Sequence, residues 1–202
     1  VSDYLLFIDT EASGLPLDWT KPYSTPDNWP WALQVSWLVF DREGVKVKEE
    51  DHYINAPSAT ISPDASRIHR LRPDFLQING KTRATVLRLL QADVLRFDPL
   101  LVGHFLQLDV HVLGAEYYRE GLDNPLPVLP AYCTMMGSRH LQHNPSLRYL
   151  KLTDLCETLF GQPQIHPHDA YWDARATADC YFELRRQGYE QVQNPQGRLH
   201  RF

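Results

Sequence analysis

Tyr4-Leu5-Leu6-Phe7-Ile8-Asp9-Thr10-Glu11 opens on a short run of apolar strand formers and closes on two acids. The apolar part, Tyr4 to Ile8, is too short for a buried helix and rich in strand formers, so it reads as a central buried strand that Asp9 ends. Side chains two residues apart on a strand share a face, which turns Asp9 and Glu11 the same way. Two carboxylates so placed repel and raise each other's pKa unless a cation lies between them. As an isolated pair they are equally compatible with a solvated strand end before a turn.

Outward from this strand, the segment from Gly14 to Pro30 holds Pro16, Pro22, Pro26 and Pro30 with Asp18, Asp27 and Asn28, a composition that breaks regular structure and predicts a long surface loop. Residues 33–40 and 45–54 read as two more strands, joined by the tight connection Asp41-Arg42-Glu43-Gly44 into an antiparallel meander with the first. Helical signals follow at 64–71 and 82–94, where Val86, Leu89, Leu90 and Asp93 recur at helical spacing. A brief strand at 100–103, a helix at 107–120, a short strand at 131–135 and helices at 147–160 and 171–187 complete the reading. Strands in a meander, then strands alternating with helices, predict an α/β fold: one domain over residues 1–202 with a mixed sheet covered by helices.

The 202 residues are 43% hydrophobic and 22% charged, with a formal net charge of −5. That balance fits an ordinary globule and argues against a broad basic surface that coats nucleic acid, so a polyanion would have to be held locally. No apolar run approaches the length needed to cross a bilayer, and the first apolar run lacks the features of a signal peptide; no membrane role and a cytoplasmic location are expected. Cys133, Cys156 and Cys180 are widely spaced and odd in number, which predicts buried free thiols.

Two more acids stand out. A helix through Asp109 puts Leu106, Val112 and Leu113 on its face, and one through Asp173 does the same with Ala176, Thr177, Cys180 and Leu184. Each acid could also be explained by the dipole of a helix start. Taken together, four acids from one strand end and two helix faces predict a site for a hard cation, Mg²⁺ or Mn²⁺, of the kind completed by water and phosphate. His168, five residues before Asp173, can reach such a site as a base for an activated water, with His166 as its rival.

In this order the residues resemble the DEDDh 3'-5' exonucleases, a family that includes ribonuclease T and the proofreading epsilon subunit of bacterial replicative DNA polymerase. Asp9-Thr10-Glu11-Ala12-Ser13-Gly14-Leu15 is similar to the family's Asp-x-Glu-Thr-Thr-Gly-Leu, with Ala12 and Ser13 replacing two threonines. Val102-Gly103-His104-Phe105-Leu106-Gln107-Leu108-Asp109 is similar to Val-x-His-Asn-x-x-Phe-Asp, with Phe105 and Leu108 at the Asn and Phe positions. His168-Asp169-Ala170-Tyr171-Trp172-Asp173-Ala174 keeps the family spacing of its third motif. The resemblance implies a ribonuclease H-like fold, a five-stranded mixed sheet flanked by helices, and two divalent cations, the first on Asp9, Glu11 and Asp173, the second on Asp9 and Asp109. It makes His168 the base, and places Thr10, Ser13, Gly14 and Leu15 against the terminal nucleotide of a single-stranded 3' end of DNA or RNA, released as a 5'-monophosphate.

A catalytically silent module that binds a nucleic-acid end or a polymerase is the alternative, supported by Phe105 and Leu108. Arg67, His69, Arg70 and Arg72 could track phosphates or form a solvated helix face; Trp19, Tyr23, Trp29 and Trp31 could stack on bases or fold their loop onto the domain. Neither DNA against RNA, nor a protein partner, nor the oligomeric state is legible.

Overall fold

The computed structural model describes residues 2–57 and 59–189. Its sheet is built around β1 (Tyr4–Ala12), which pairs antiparallel with β2 (Ala32–Asp41) and parallel with β4 (Leu100–Gly103). β3 (Lys46–Tyr53) runs antiparallel beside β2, and β5 (Ala131–Cys133) runs parallel beside β4. The order β3-β2-β1-β4-β5 gives the expected five-stranded mixed sheet. β3 is an edge and carries Lys46, Lys48, Glu49, Glu50 and Asp51, charges that discourage pairing with another chain.

Helices cover both faces: α1 (Pro63–His69), α2 (Pro73–Asn79), α3 (Arg83–Phe97), α4 (Leu106–Glu120), α5 (Thr134–Gly137), α6 (Leu152–Phe160) and α7 (Ala170–Arg186). The alternation of β1 divides the core. Leu6 and Ile8 enter the larger cluster with Val86, Leu90, Val112 and Leu113 of α3 and α4. Leu5 and Phe7 enter the other with Ala174, Ala178 and Tyr181 of α7, whose alanines let the helix lie close to the sheet. Asp9 and Glu11 continue the Leu5 and Phe7 parity, so the same period that buries the apolar residues aims both acids toward α7.

Helix starts follow their caps. Ser62 accepts from Ala65 N–H, Thr82 from Thr85 N–H, and Asp169 from the N–H groups of Tyr171 and Trp172. The structure also differs from the sequence reading. β1 continues through its acids to Ala12, because Asp9, Thr10 and Glu11 pair with Ser36, Val35 and Gln34. Pro73 opens α2, a helix beyond those expected from the sequence. The helix expected at 147–160 begins only at Leu152, because Leu147 stays half-exposed and the Leu150 carbonyl is taken by His104. Cys156 and Cys180 are buried free thiols, whereas Cys133 is only partly buried. Of the single domain expected over 1–202, residues 190–202 lie outside the described residues.

The long loop is folded onto α4 by its aromatic side chains. Trp29 is buried and stacks on His111 at 5.0 Å between ring centres, and Tyr23 Oη sits 3.0 Å from His111 Nδ1. Gly114 permits this approach, since a Cβ there would lie 2.4 Å from the Tyr23 hydroxyl oxygen. Trp31 is held between the guanidinium groups of Arg83 and Arg119. No helix among the described residues is long and apolar enough to cross a membrane.

Candidate active site

The end of β1 and the first turn of α7 meet at three acids. Asp9, Glu11 and Asp173 each place a carboxylate oxygen within 4.8 Å of the other two. Glu11 is buried, and Asp9 and Asp173 are half-buried. Among the described residues no cationic side chain is paired with any of them, and neither the Asp9 nor the Glu11 carboxylate accepts a hydrogen bond. Asp173 is different: its Oδ1 accepts from the His168 N–H at 3.2 Å and from the Gln164 side-chain amide, which leaves Oδ2 free.

Asp109 approaches from α4, on the other face of the sheet. It is buried, and its Oδ1 accepts from the Thr10 hydroxyl at 2.8 Å. It is therefore not one of the three mutually close acids, but its charge acts on both Asp9 and Glu11. Burial, then Asp109, Asp173, Glu11 and Asp169, holds the Asp9 carboxyl well above the usual carboxylate range. Burial and the charges of Asp173, Asp109 and Asp169 push Glu11 up to about 8. Burial brings Asp109 to about 7 against the opposing Thr10 hydrogen bond. Asp173 is raised by burial to about 6, against the donors from Gln164 and His168.

A buried acid without a counter-charge is costly, and several together are more so. An oxygen-only cluster with raised proton affinity and no cation of its own has the donor chemistry of a divalent-cation site, which would displace those protons. The residues present thus fit a hard metal ion.

His168 lies at the exposed rim in the left-handed region (φ 66°), and burial together with Lys151 lowers its pKa, which favours the neutral imidazole. His166 turns its ring toward Trp172, 5.5 Å between centres. The tie from the His168 backbone to Asp173 is thus what separates the rivals. His104, the histidine of the second motif, works as a fastener: its ring nitrogens lie 3.0 Å from Thr134 Oγ1 and 3.1 Å from the Leu150 carbonyl. Phe105 adopts a left-handed conformation (φ 61°) at the start of α4 and packs against Trp19. Asparagine tolerates that region better than phenylalanine does.

The other nucleotide-contact candidates divide. The Thr10 hydroxyl is engaged by Asp109, and that of Ser13 accepts from the Trp31 N–H at 2.9 Å, anchoring the loop. Gly14 is half-exposed after them, and Leu15 is 65% exposed, an apolar side chain presented to solvent four residues after Glu11. In the basic run, Arg67 pairs with Asp64 and Arg72 with Asp74 on the surface, while His69 turns inward.

Sequence reasoning missed two contributors. Asp169 adds its charge to Asp9, Glu11 and Asp173, and its helix-capping position just before an amphipathic helix was the available signal. Gln164 orients Asp173, and no pattern in the sequence announces it.

A family model described as an exonuclease, RNase_T, matches residues 6–181. No curated protein matches the chain. Among solved structures, E. coli exonuclease I in complex with a dT13 oligonucleotide superposes with a TM-score of 0.73 at 17% identity, covering 91% of this chain and 41% of that one. The zinc-ion-bound form of the E. coli exonuclease I complex with single-stranded DNA gives 0.75 at 18%, covering 94% and 42%. The chain therefore spans about two-fifths of the exonuclease I chains it resembles, and the likeness is one of fold.

Proposed function

The chain belongs to the DEDDh exonuclease family, and on that premise we propose that it hydrolyses single-stranded DNA or RNA from a free 3' end, releasing nucleoside 5'-monophosphates with the aid of two divalent cations, Mg²⁺ or Mn²⁺. The observation that carries this reading is the meeting of Asp9, Glu11 and Asp173 within 4.8 Å without a neutralising side chain.

Asp9, Glu11 and Asp173 would hold one cation, and Asp9 with Asp109 the other. When bound, the cations supply positive charge for the phosphate oxygens and acidify the attacking water. The chain's own residues supply the rest. His168, kept neutral by its surroundings, takes the proton from the water as its oxygen joins phosphorus. The 3' oxygen of the preceding nucleotide leaves and is reprotonated. Gln164 and the His168 N–H keep Asp173 turned into the cluster, and Thr10 holds Asp109 at its edge. Leu15 offers an exposed apolar side chain against which the terminal base can pack beside Gly14, while Thr10 and Ser13 contribute through the backbone that their hydroxyls fix. The single-stranded DNA bound to the E. coli exonuclease I structures supports a strand end as the substrate.

The test is digestion of matched linear and circular single strands with Mn²⁺ and with chelator. Mononucleotides released only from the linear strand, and only with metal, are expected. A circle cut as fast as the linear strand, or binding of the strand without turnover, overturns the proposal.

A further inference from the structure

Away from the acids, the segment between α5 and α6 forms an open depression of about 240 Å³ whose lining includes Arg139, Gln142, His143, Asn144 and Arg148 and no acid. Arg139 and Arg148 are exposed and have no carboxylate partner among the described residues, which also holds for Arg70, Arg88 and Arg96, but these two share one depression. The Gln142 side chain is held by its oxygen, which accepts from the Asn144 N–H at 2.6 Å, and its Nε2 is then a buried donor with no acceptor. Two guanidinium groups without a carboxylate partner among the described residues, that of Arg148 5.2 Å from the Tyr149 ring centre, thus share one depression with an orphaned amide donor. Buried donors are almost always satisfied, and guanidinium groups match phosphate geometry closely.

The depression is also placed to matter. His104 binds both Thr134 and the Leu150 carbonyl, which fastens the segment to the end of β4, beside the end of β1 that carries the acids. Lys151, next along, is close enough to His168 to lower its pKa. Three residues of chain from Arg148 to Lys151 span at most roughly 11 Å. A chain with a net charge of −5 offers a strand little positive charge beyond the metal-holding acids, so a strand longer than its terminal nucleotides gains from a local foothold.

We propose that this depression is a phosphate subsite that takes an internal phosphodiester of the strand whose 3' end lies at the acid cluster, upstream of the bond that is cut. It rests on the exonuclease reading above. The same donors would accept free inorganic phosphate, and the measurements separate the two sources.

Fluorescence anisotropy of a 12-nucleotide single strand, read across a salt series, compares the unaltered protein with the double variant Arg139→Gln/Arg148→Gln. Both positions are exposed, so the fold should survive, and circular dichroism checks it. About tenfold weaker binding is expected, with a log K against log salt slope shallower by about 0.7 for each phosphate no longer neutralised. Turnover of a dinucleotide, too short to reach the depression, should be unchanged. Equal strand affinity and equal slope in the double variant overturn the subsite and leave the exonuclease reading standing. So does inorganic phosphate binding that needs both arginines while strand affinity does not change. Failure of the unaltered protein to hydrolyse any strand overturns the exonuclease reading, and the subsite with it.

Discussion

Two buried acidic regions lie within one fold and are treated oppositely. Glu116 of α4 is fully buried, but its carboxylate accepts from the Ala32 N–H at 2.7 Å, lies 3.0 Å from Arg119 and is ion-paired with Arg83. Burial raises its pKa while both arginines pull it down. Asp9, Glu11 and Asp173 have no paired cation among the described residues, and the neighbouring acids push Asp9 and Glu11 further up. Glu116 is a completed structural device: Arg119 also donates to the Pro30 carbonyl at 2.9 Å, so the group pins the end of the long loop to α4. The cluster at the end of β1 is incomplete within the chain, and its missing charge has to come from a ligand. Burial of acids therefore says little by itself; what surrounds them decides whether they hold the fold or bind.

The comparison breaks first at Asp9. Asp9→Asn should lower metal-dependent release of mononucleotides by about 10³-fold or more. In chelator its melting temperature should equal or exceed that of the unaltered protein, because a repelling charge has been removed. A clear fall in calorimetry would show that Asp9 is structural after all. Glu116→Ala should do the reverse, leaving Arg83 and Arg119 partly buried without their acid and costing about 3–5 kcal/mol, or roughly 6–20 °C in melting temperature. Its turnover, measured well below that transition, should be nearly unchanged.

A smaller effect is expected at the rim. His168→Ala should slow turnover by about 10²-fold, at the lower end for loss of a general base, while metal affinity measured by calorimetric titration changes little. Equal losses in both would assign His168 to metal holding.

The gentlest probe is pH. Glu11 at about 8, Asp109 at about 7 and Asp173 at about 6 all lie above the ordinary carboxylate range, so the folded protein binds more protons than the unfolded chain. Their contribution to stability is then fully present below about pH 4 and is lost as pH rises toward 8. Denaturant titrations in chelator should show this decline from these groups. Mn²⁺ should raise the melting temperature more at pH 8 than at pH 5, because at pH 5 it competes with bound protons. A metal effect independent of pH would contradict the raised proton affinities.

Much of this contrast is legible along the chain. The period of β1 aims Asp9 and Glu11 to one face, and the apolar spacing around Asp109 and Asp173 turns those acids inward. In the structure Asp173 lies beside the β1 pair, while Asp109 is outside that trio and accepts from Thr10, a bond between residues 99 positions apart. Glu116 carries no distinguishing signal, since the arginine and backbone groups that complete it come from separate elements. The error at 147–160 has the same origin: apolar spacing suggests helix, but a distant histidine ring claims the Leu150 carbonyl.

By itself, then, the sequence determined the strand that centres the sheet, the side to which its two acids point, and the three family motifs between Asp9 and Ala174. Those properties depend on short-range periodicity and on residue order, which a linear reading retains. Only the tertiary structure decided which buried acids acquire a counter-charge and which do not, which histidine is tied to Asp173, and where arginines without an acid share a surface depression. Electrostatic compensation acts through space at a few ångströms, and its partners are brought together by packing rather than by any spacing along the chain.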